Sequence, residues 1–444
     1  MVVQTSSRAA YKISGRGASR IAASIEAGIA AGHLAPGQAL PPIRDLAAEL
    51  EVNPNTVSAA YRLLRDRGAV ETAGRRGTRV REQPATAPRN LDFPIPADAK
   101  DLVNGNPDRR LLPELVFPRG ISQRLYKGET ILPSLLTAAR ERFAADGVPA
   151  EHVVPAFGAG DAIDRVLSAH LRTGDTVAVE DPGWGAVYHL LPAMGLAAVP
   201  VPIDAEGMTP QGLAAALNRG ARAVIITSRA QNPTGAAVTA RRAEELRTLL
   251  AAHPDVLLIE DDHGADITPH FGLNTLTGAT THWAHIRSLS KAYGPDLRCA
   301  ITAADATTAA RVAGRLRLGA GWVSQVIQDQ VHRLWTDERV EKQIAEAARA
   351  YTERREALIA ALAARGIAAQ GVSGINVWIP VPEEAVVVSG LLAAGWAVAP
   401  GAWFRAGSAP GVRITVSNLD LAEVEPLADA FAAVLSASGS GGAV

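Results

Sequence analysis

A lysine in the second half of the chain has the neighbours that a covalent cofactor site would need. It stands in the segment SLSKAYGPDLR, residues 288 to 298, in which Lys291 follows two serines and precedes an arginine by seven positions. A lysine amine can form a Schiff base with a carbonyl compound. Ser288, Ser290 and Arg298 could converge on a phosphate. An ordinary surface lysine could have the same local sequence, so the rest of the chain must decide.

Two segments upstream of this lysine could hold other parts of one ligand. FGAGDAI, residues 157 to 163, places small residues before a helix, where the amides of Ala159 and Gly160 could bind a phosphate at the positive end of the helix dipole. A tight turn would use the same residues. EDPGW, residues 180 to 184, ends in Trp184, which could stack on a flat ring or belong to the core.

Polar side chains follow two further strand-like runs. Asn232, in QNPTG, could donate a hydrogen bond to a ring oxygen. Asp261 and His263 end the run LLIEDDH, where a carboxylate could bind a pyridinium nitrogen; metal ligation and plain solvation are the alternatives. A phosphate cradle, a stacking aromatic, a donor to a phenolic oxygen, a carboxylate and a Schiff-base lysine together describe the needs of pyridoxal 5′-phosphate (PLP). The motifs predict PLP jointly, and none does so alone.

These residues stand at the ends of strands in an alternating pattern. Strand-like runs at 176–180, 222–228 and 255–261 alternate with helix-like runs such as TARRAEELRTLLAAH at 239–253. This rhythm predicts an α/β fold with a mostly parallel sheet covered by helices on both faces. Ligands of such sheets bind beyond the carboxyl ends of the strands, where the candidate residues stand.

The N-terminal residues predict a separate module. Ile21, Ile25 and Ile29 share one face of a helix, PPIRDLAAEL forms a second, and NPNTVSAAYRLLRDRG forms a third that begins at an N-cap Asn53. A basic hairpin, AVETAGRRGTRV, follows, so the whole predicts a winged helix-turn-helix. A three-helix bundle with a solvated basic face is the alternative. The residues expected to contact bases or phosphates of double-stranded DNA are Arg44, Asn55, Thr56, Ser58, Arg75 and Arg76.

Charge and composition agree with two functions in one chain. Residues 8–81 hold twelve Lys and Arg against six Asp and Glu, a net of +6, whereas the remainder carries −7. A basic end on an acidic body suggests an attached nucleic-acid-binding module. The only cysteine, Cys299, excludes an internal disulfide and a cysteine-cluster metal site, and no metal is expected. No run reaches the ~20 apolar residues of a membrane span, so we expect a cytoplasmic protein.

The order of the motifs from about residue 100 to 435 resembles that of the fold-type I aminotransferases. The resemblance implies a small C-terminal α/β subdomain and gives the residues their roles. Lys291 would form the internal aldimine with PLP, Asp261 would keep the ring nitrogen protonated, and Asn232 and His263 would contact the phenolic oxygen. Many relatives have a tyrosine where His263 stands. The phosphate loop lacks the usual serine or threonine, so that backbone amides and the residues Ser288, Ser290 and Arg298 would carry more of the charge.

Two further residues acquire roles from the same resemblance. Tyr126, in LYKGE, resembles the tyrosine that reaches the phosphate bound by the partner subunit, which implies a homodimer. Arg413, in PGVRITVSN, resembles the arginine that grips the α-carboxylate of an amino compound in a bidentate way. An arginine on a solvent-exposed strand is the alternative for Arg413.

The segment from Ala39 to Val80 resembles the winged helix of the GntR superfamily, and the whole chain resembles the MocR family, also called GabR-like. Within that family the segments NPDRRLLPEL, EDDH and SLSKAYGPDLR look most like the PtsJ type. The expected organisation is a GntR-type DNA-binding domain at 8–81, a linker at 82–100 and an aminotransferase-like PLP domain at 101–444. The resemblance implies a bacterial transcription regulator, linked to vitamin B6 metabolism, whose DNA binding responds to PLP or to a PLP-amine aldimine. A regulator without turnover is expected, although a residual transaminase half-reaction is compatible with these residues. A working aminotransferase that carries a DNA-binding module and a PLP-free scaffold are the alternatives.

Overall fold

The computed structural model describes residues 11–30, 33–35, 37–66, 69–72, 77–80, 95–116, 125–126, 128–268 and 270–440. The described residues divide into two compact units. The smaller unit contains those before Pro94 and two short segments, Arg172–Asp175 and His189–Ala197, and the larger unit contains the remainder. Within the described ranges, none of the helices combines the length and the apolar character needed to span a bilayer.

The N-terminal residues form the predicted winged helix. Its elements are α1 (Ala18–Ala30), α2 (Ile43–Glu49), α3 (Pro54–Asp66), β1 (Val70–Thr72) and β2 (Thr78–Val80), and the two strands pair antiparallel. Asn53 acts as the predicted cap, because its side-chain oxygen accepts a hydrogen bond from the backbone N–H of Asn55 at 2.8 Å. The apolar positions that share a helix face in the sequence are buried together: Ile21, Ile25, Leu46, Val57, Ala60 and Leu64.

The residues after Pro94 alternate between strands and helices, as the sequence predicts. In chain order the elements are β3 (Lys100–Leu102), α4 (Pro133–Ala145), β4 (Val153–Ala156), α5 (Ala159–His170), β5 (Thr176–Asp181), α6 (Gly185–Ala193), β6 (Ala197–Asp204), β7 (Gly207–Met208), α7 (Pro210–Asn218), β8 (Ala223–Thr227), α8 (Ala240–Ala251), β9 (Leu257–Asp262), β10 (Trp283–Ser288), β11 (Ala300–Ala304), α9 (Ala306–Leu318), α10 (Gln325–Thr336), α11 (Glu338–Ala363), β12 (Asn376–Pro380), α12 (Glu384–Ala393), β13 (Trp396–Pro400), β14 (Gly411–Thr415) and α13 (Val424–Ser440).

A large sheet brings the ends of the candidate strands to one edge. Among the described residues it has eight strands in the order β4–β11–β10–β9–β8–β5–β6–β7. Strands β10, β9, β8 and β5 are mutually parallel, whereas β11 is antiparallel to both its neighbours. Every residue of β8, β9 and β10 is buried, as expected for strands covered on both faces. The mostly parallel α/β fold is therefore confirmed.

The small C-terminal α/β subdomain is also confirmed. A second sheet has the order β12–β14–β13–β3, in which β14 is antiparallel to β12 and β13, and β3 is parallel to β13. Lys100, which the sequence places at the end of the linker, begins β3 and pairs with Trp396. Most of the predicted linker, residues 82–94, lies outside the described residues.

Candidate functional site

Lys291 lies three residues beyond β10, with its amine directed into the larger unit. The Nζ atom donates a hydrogen bond to the carbonyl oxygen of Gly105 at 2.5 Å. Burial and, secondarily, the positive charge of Arg413 lower the pKa of the Lys291 amine to about 8, against the opposing effect of Asp261. About a tenth of the amine is then neutral at pH 7, far more than for a surface lysine. Such an amine is a suitable nucleophile for an aldehyde.

Asp261 has one carboxylate oxygen that needs a ligand. The residue is the penultimate one of β9 and is 3% exposed. Its Oδ2 atom lies 3.2 Å from Nδ1 of His263, whereas its buried Oδ1 atom has no hydrogen-bond partner within the described parts of the chain. A buried acceptor without a donor is costly, so a ligand N–H at Oδ1 would remove that cost. The protonated nitrogen of a pyridine ring fits this position.

The start of α5 offers the expected phosphate cradle. Gly158 is its N-cap with a φ of 97°, so the amides of Ala159 and Gly160 open the first turn. Arg298, itself in the left-handed region with a φ of 43°, donates from Nη2 to the carbonyl oxygen of Phe157 at 3.2 Å. A Cβ added at Gly158 would lie 3.2 Å from the same Nη2 atom. The helix terminus and the guanidinium therefore face one small space that suits an anion.

Two serines precede Lys291 where β10 ends, Ser288 as the last residue of the strand and Ser290 just beyond it. Ser288 pairs with Ala300, and Ala300 pairs with Ala156 at the end of β4, so Ser288 is two strands away from the chain that enters α5. Strands are spaced about 4.8 Å apart. The backbone N–H of Ser290 donates to the Ser288 hydroxyl at 3.4 Å. The contact of Ser288 and Ser290 with a phosphate stays a prediction.

A pocket lies between Asp261 and Trp184. It is lined by these two residues and by side chains of β5, β8 and α6, namely Val179, Glu180, Ile225, Thr227, Val187 and Tyr188. Trp184 is half-buried rather than part of the core, and a Cβ added at Gly160 would lie 3.7 Å from its Cη2 atom. The indole therefore lies beside both the phosphate cradle and the carboxylate. Stacking of this indole on a bound ring stays a prediction.

Arg413 is a buried guanidinium without an acidic partner among the described residues. It lies on β14 and is only 4% exposed, so it is not an arginine of a solvent-exposed strand. Nη1 donates to Oδ1 of Asn232 at 2.9 Å and Nη2 donates to the carbonyl oxygen of Val103, whereas the buried Nε atom has no partner within the described ranges. Burial lowers the pKa of Arg413 to about 10, opposed by the charge of Asp101. A ligand carboxylate would supply the missing countercharge.

The contact between Asn232 and Arg413 also defines the free end of the amide. Because the side-chain oxygen of Asn232 already accepts a hydrogen bond, its NH2 group is the end that can donate to a ligand oxygen. His263 is placed differently, since its Nδ1 atom faces Asp261. Its contact with a phenolic oxygen stays a prediction.

Tyr126 lies away from these groups within its own chain. The side chain is 94% exposed, and its ring meets the ring of Trp322 edge-on at 5.9 Å between centroids. Such exposure is compatible with a role in the site of a second subunit. That role stays a prediction.

Sequence reasoning missed the residues that support the site from within. The carboxylate of Glu180 accepts hydrogen bonds from the backbone N–H of Thr227 at 2.9 Å and from Nε2 of Gln231 at 3.0 Å. Burial raises the pKa of Glu180 to about 7, although both hydrogen bonds oppose the rise. The position of Glu180 at a buried strand end was the only available signal. Asp262 is also fully buried, and it forms an ion pair at 2.8 Å with Arg229, which lies two residues beyond the end of β8.

The winged helix exposes three of the four candidate DNA-binding residues that the structure describes. Arg44 on α2, and Asn55 and Ser58 near the start of α3, are exposed, whereas Thr56 is half-buried. Arg75 and Arg76 lie outside the described residues.

Metal ligation was the alternative role for the acidic end of β9. In the part of the chain that the structure describes, no group of three or more His, Cys, Asp and Glu side chains is arranged to hold a metal ion.

Comparisons with known proteins agree with this two-part architecture. The model of bacterial regulatory proteins of the gntR family matches residues 18–80, and that of aminotransferase class I and II matches residues 124–431. The vitamin B6 salvage pathway transcriptional repressor PtsJ of Salmonella typhimurium is 42% identical over 94% of this chain and 98% of its own length. The pyridoxine biosynthesis regulator PdxR of Corynebacterium glutamicum is 27% identical over 54% of each chain.

A solved structure gives the same fold for the larger unit. The α-aminoadipate aminotransferase LysN of Thermus thermophilus, complexed with N-(5′-phosphopyridoxyl)-L-leucine, superposes with a TM-score of 0.69 at 20% identity, covering 78% of this chain and 94% of LysN. The chain therefore belongs to the MocR-like family, in which a GntR-type winged helix is joined to a domain of the aminotransferase class I and II family.

Proposed function

We propose that this protein is a PLP-binding bacterial transcription regulator whose affinity for DNA changes when PLP, or PLP joined to an amine, is bound. We further propose that it controls genes of vitamin B6 metabolism. The relationship to PtsJ over nearly the whole of both chains supports the regulatory role. The single observation that carries the proposal is the incomplete site in the larger unit, where Oδ1 of Asp261 and Nε of Arg413 are buried without a hydrogen-bond partner among the described residues and the amine of Lys291 is bonded to a backbone carbonyl oxygen.

Different residues of this site would bind different parts of the ligand. PLP supplies an aldehyde and an electron-withdrawing ring when it is bound. Lys291 would hold it through the ε-amine, and Asp261 would keep a proton on the ring nitrogen through its free Oδ1 atom. Trp184 would cover one ring face, and the first turn of α5 with Arg298 would bind the phosphate.

Arg413 would select what joins the cofactor. A guanidinium that is 4% exposed and has no acidic partner among the described residues favours an anionic ligand group. An amino compound with a carboxylate would therefore bind more tightly than an amine without one. The amide of Asn232, fixed by Arg413, would donate to the ring oxygen.

The winged helix would read duplex DNA in the major groove. Asn55 and Ser58 lie exposed at the start of α3, where recognition helices contact base edges, and Arg44 would contact phosphate. We propose a homodimer located in the cytoplasm, which would offer two winged helices to spaced half-sites. Ligand control requires that PLP bind the DNA-competent and DNA-incompetent states with different affinities, typically by about 1–3 kcal/mol.

A working aminotransferase is the second candidate, because the lysine, aspartate and arginine set contains everything that transamination requires from the chain. The two candidates differ in turnover. An enzyme would exchange an amino acid and a 2-oxo acid steadily at about 1 to 1000 per second. A regulator would show at most slow half-reactions and a DNA affinity that depends on PLP.

The deciding experiment is a gel-shift titration of the DNA upstream of the gene, with and without PLP. We expect Lys291→Ala to lose the yellow colour and the response to PLP while keeping its basal DNA affinity. The matched control is Lys342→Ala, which changes an exposed lysine of α11 and should behave as the wild type. An unchanged PLP response in Lys291→Ala, or steady transaminase turnover without any PLP effect on DNA binding, would contradict the proposal.

A further inference from the structure

The carboxylate of Asp181 binds a loop of the small subdomain, at residues 406–408. Asp181 ends β5 and is 6% exposed. Its Oδ1 atom accepts hydrogen bonds from the backbone N–H of Ala406 at 3.0 Å and from the hydroxyl of Ser408 at 2.8 Å. Its Oδ2 atom accepts from the backbone N–H groups of Gly407 at 2.8 Å and Ser408 at 2.9 Å. Four donors saturate this carboxylate, so it has little capacity left for a ligand.

The loop bound by Asp181 also contacts Arg413. It connects β13 to β14 and contains Phe404, whose ring lies 4.6 Å from the guanidinium carbon of Arg413. A guanidinium over an aromatic face is held by a cation–π contact that is stronger in a desolvated site. The backbone of the same loop is fastened a second time, because the N–H of Gly183 donates to the carbonyl oxygen of Phe404 at 2.6 Å.

The other side of Asp181 belongs to the cofactor pocket. The residues after it, Pro182 and Gly183, lead directly to Trp184, which lines that pocket with Asp261. Gly185 packs so tightly on the loop that an added Cβ would overlap the carbonyl oxygen of Trp403. The turn after β5 and the loop before β14 are therefore packed against each other. Glu384 of α12 holds the same loop from another side, because its carboxylate accepts hydrogen bonds from Nε of Arg405 and from the backbone N–H of Ala402, both at 2.7 Å.

We propose that Asp181 is a positioning residue that holds Phe404 against Arg413 and thereby gives the site its preference for ligands with a carboxylate. The inference rests on the proposed function, because it assumes that the site binds PLP joined to an amino compound. Loss of Asp181 would leave the backbone N–H groups of residues 406–408 without their acceptor and loosen that part of the loop, whereas Glu384 would still hold Ala402 and Arg405. Arg413 would then keep its charge and its hydrogen bonds to Asn232 and Val103, but it would lose the aromatic face that restrains the rest of its guanidinium. The phosphate cradle and Lys291 lie on other elements, so their part of the affinity should be retained.

A pair of stable conjugates isolates the contribution of the carboxylate. N-(5′-phosphopyridoxyl)-L-leucine and N-(5′-phosphopyridoxyl)-3-methylbutylamine differ only in that group. Both are titrated into the full-length PLP-free protein by calorimetry, which measures binding and not turnover. A buried charge-assisted pair predicts that the wild type binds the leucine conjugate about 10- to 100-fold more tightly. Arg413→Ala gives the ratio expected without the clamp.

The variants are Asp181→Asn and, as a milder change, Ser408→Ala, which removes one of the four hydrogen bonds. Asp181→Asn should reduce the preference to about threefold or less while the carboxylate-free conjugate binds within about threefold of its wild-type affinity. Ser408→Ala should give an intermediate ratio and tests the idea even if Asp181→Asn does not fold. The control Asp255→Asn, an exposed carboxylate before β9, should leave the ratio unchanged.

The outcomes separate this inference from the proposed function. An undiminished ratio in both Asp181→Asn and Ser408→Ala, or an equal weakening of both conjugates, would overturn the positioning role while leaving the proposed function standing. A wild type that binds both conjugates equally would overturn it as well, since no carboxylate preference would exist. A wild type that binds neither conjugate would instead overturn the proposed function.

Discussion

The unpartnered oxygen of Asp261 makes the substitution Asp261→Asn a sensitive test of the cofactor site. In the ligand-free protein the substitution replaces a buried carboxylate, one oxygen of which has no hydrogen-bond partner among the residues that the structure describes, by a neutral amide. A neutral amide is less costly to bury than a charged group. Asp261 also favours the charged form of the Lys291 amine, whose pKa is about 8, so the comparison is made about one pH unit above that value, where we expect the ligand-free variant to be more stable by about 1 kcal/mol. For a protein of this size that corresponds to a rise of about 1–4 °C in the melting temperature.

The same substitution should weaken PLP binding. The amide cannot keep a proton on the ring nitrogen, so a charge-assisted hydrogen bond of about 1.5–3 kcal/mol is lost. This corresponds to a PLP affinity about 10- to 150-fold lower. At a PLP concentration 100 times the wild-type Kd, ligand binding stabilises the wild type by about 2.7 kcal/mol. A variant with a 50-fold weaker Kd would gain only about 0.6 kcal/mol at that concentration.

The two effects have opposite signs and are measured in one set of thermal melts with and without PLP, together with an absorbance titration. The exposed carboxylate Asp296, five residues after Lys291, provides the control variant Asp296→Asn, which should change neither quantity. An Asp261→Asn protein that binds PLP as tightly as the wild type would refute the assignment of Asp261 to the ring nitrogen. A ligand-free variant that is less stable would refute the view that Oδ1 awaits a partner.

Three further predictions concern the lysine, the phosphate cradle and the winged helix. Because the amine of Lys291 has a pKa of about 8, the fraction of its reactive neutral form increases as the pH rises. The rate of PLP attachment should therefore rise about tenfold per pH unit below pH 8 and then level off. A rate that does not change with pH in stopped-flow absorbance would contradict this. Gly158→Ala should lower the free energy of unfolding by about 1–2 kcal/mol and weaken PLP binding, because the residue has a φ of 97° and an added Cβ would crowd Arg298. The control Gly314→Ala, at an open helical position, should not destabilise the protein. Arg44→Ala should reduce the salt dependence of DNA binding by about one counterion without changing PLP absorbance, as measured by anisotropy at several salt concentrations; an unchanged slope would remove Arg44 from the interface.

Local patterns in the sequence were sufficient for the elements that carry the site. The helix faces of the winged helix and the buried strand ends before Asn232 and Asp261 follow from short-range periodicity, and both parts of the fold formed as predicted. The resemblance to known families supplied the roles of Lys291 and Arg413. The structure added the burial of Arg413, which no local pattern indicates, because it depends on the packing of β14 against β12 and β13.

Contacts between distant parts of the chain were beyond sequence reasoning. The hydrogen bond from Lys291 to Gly105 joins residues 186 positions apart, and those from the loop of residues 406–408 to Asp181 span more than 220. Nothing in EDPGW distinguishes a carboxylate that binds a ligand from one that fastens a loop. His263 shows the same limit, because the sequence did not indicate that its Nδ1 atom would face Asp261.

The central claim is that the binding of PLP and the binding of DNA are thermodynamically coupled. The most direct test is whether each ligand changes the affinity for the other by the same factor. The affinity of the wild type for PLP is measured by absorbance titration in the absence and in the presence of saturating upstream DNA, alongside the affinity for DNA with and without PLP. Thermodynamic linkage predicts that both affinities change by the same factor, in the range of about 5- to 150-fold. A PLP affinity that is the same with and without DNA would contradict the account.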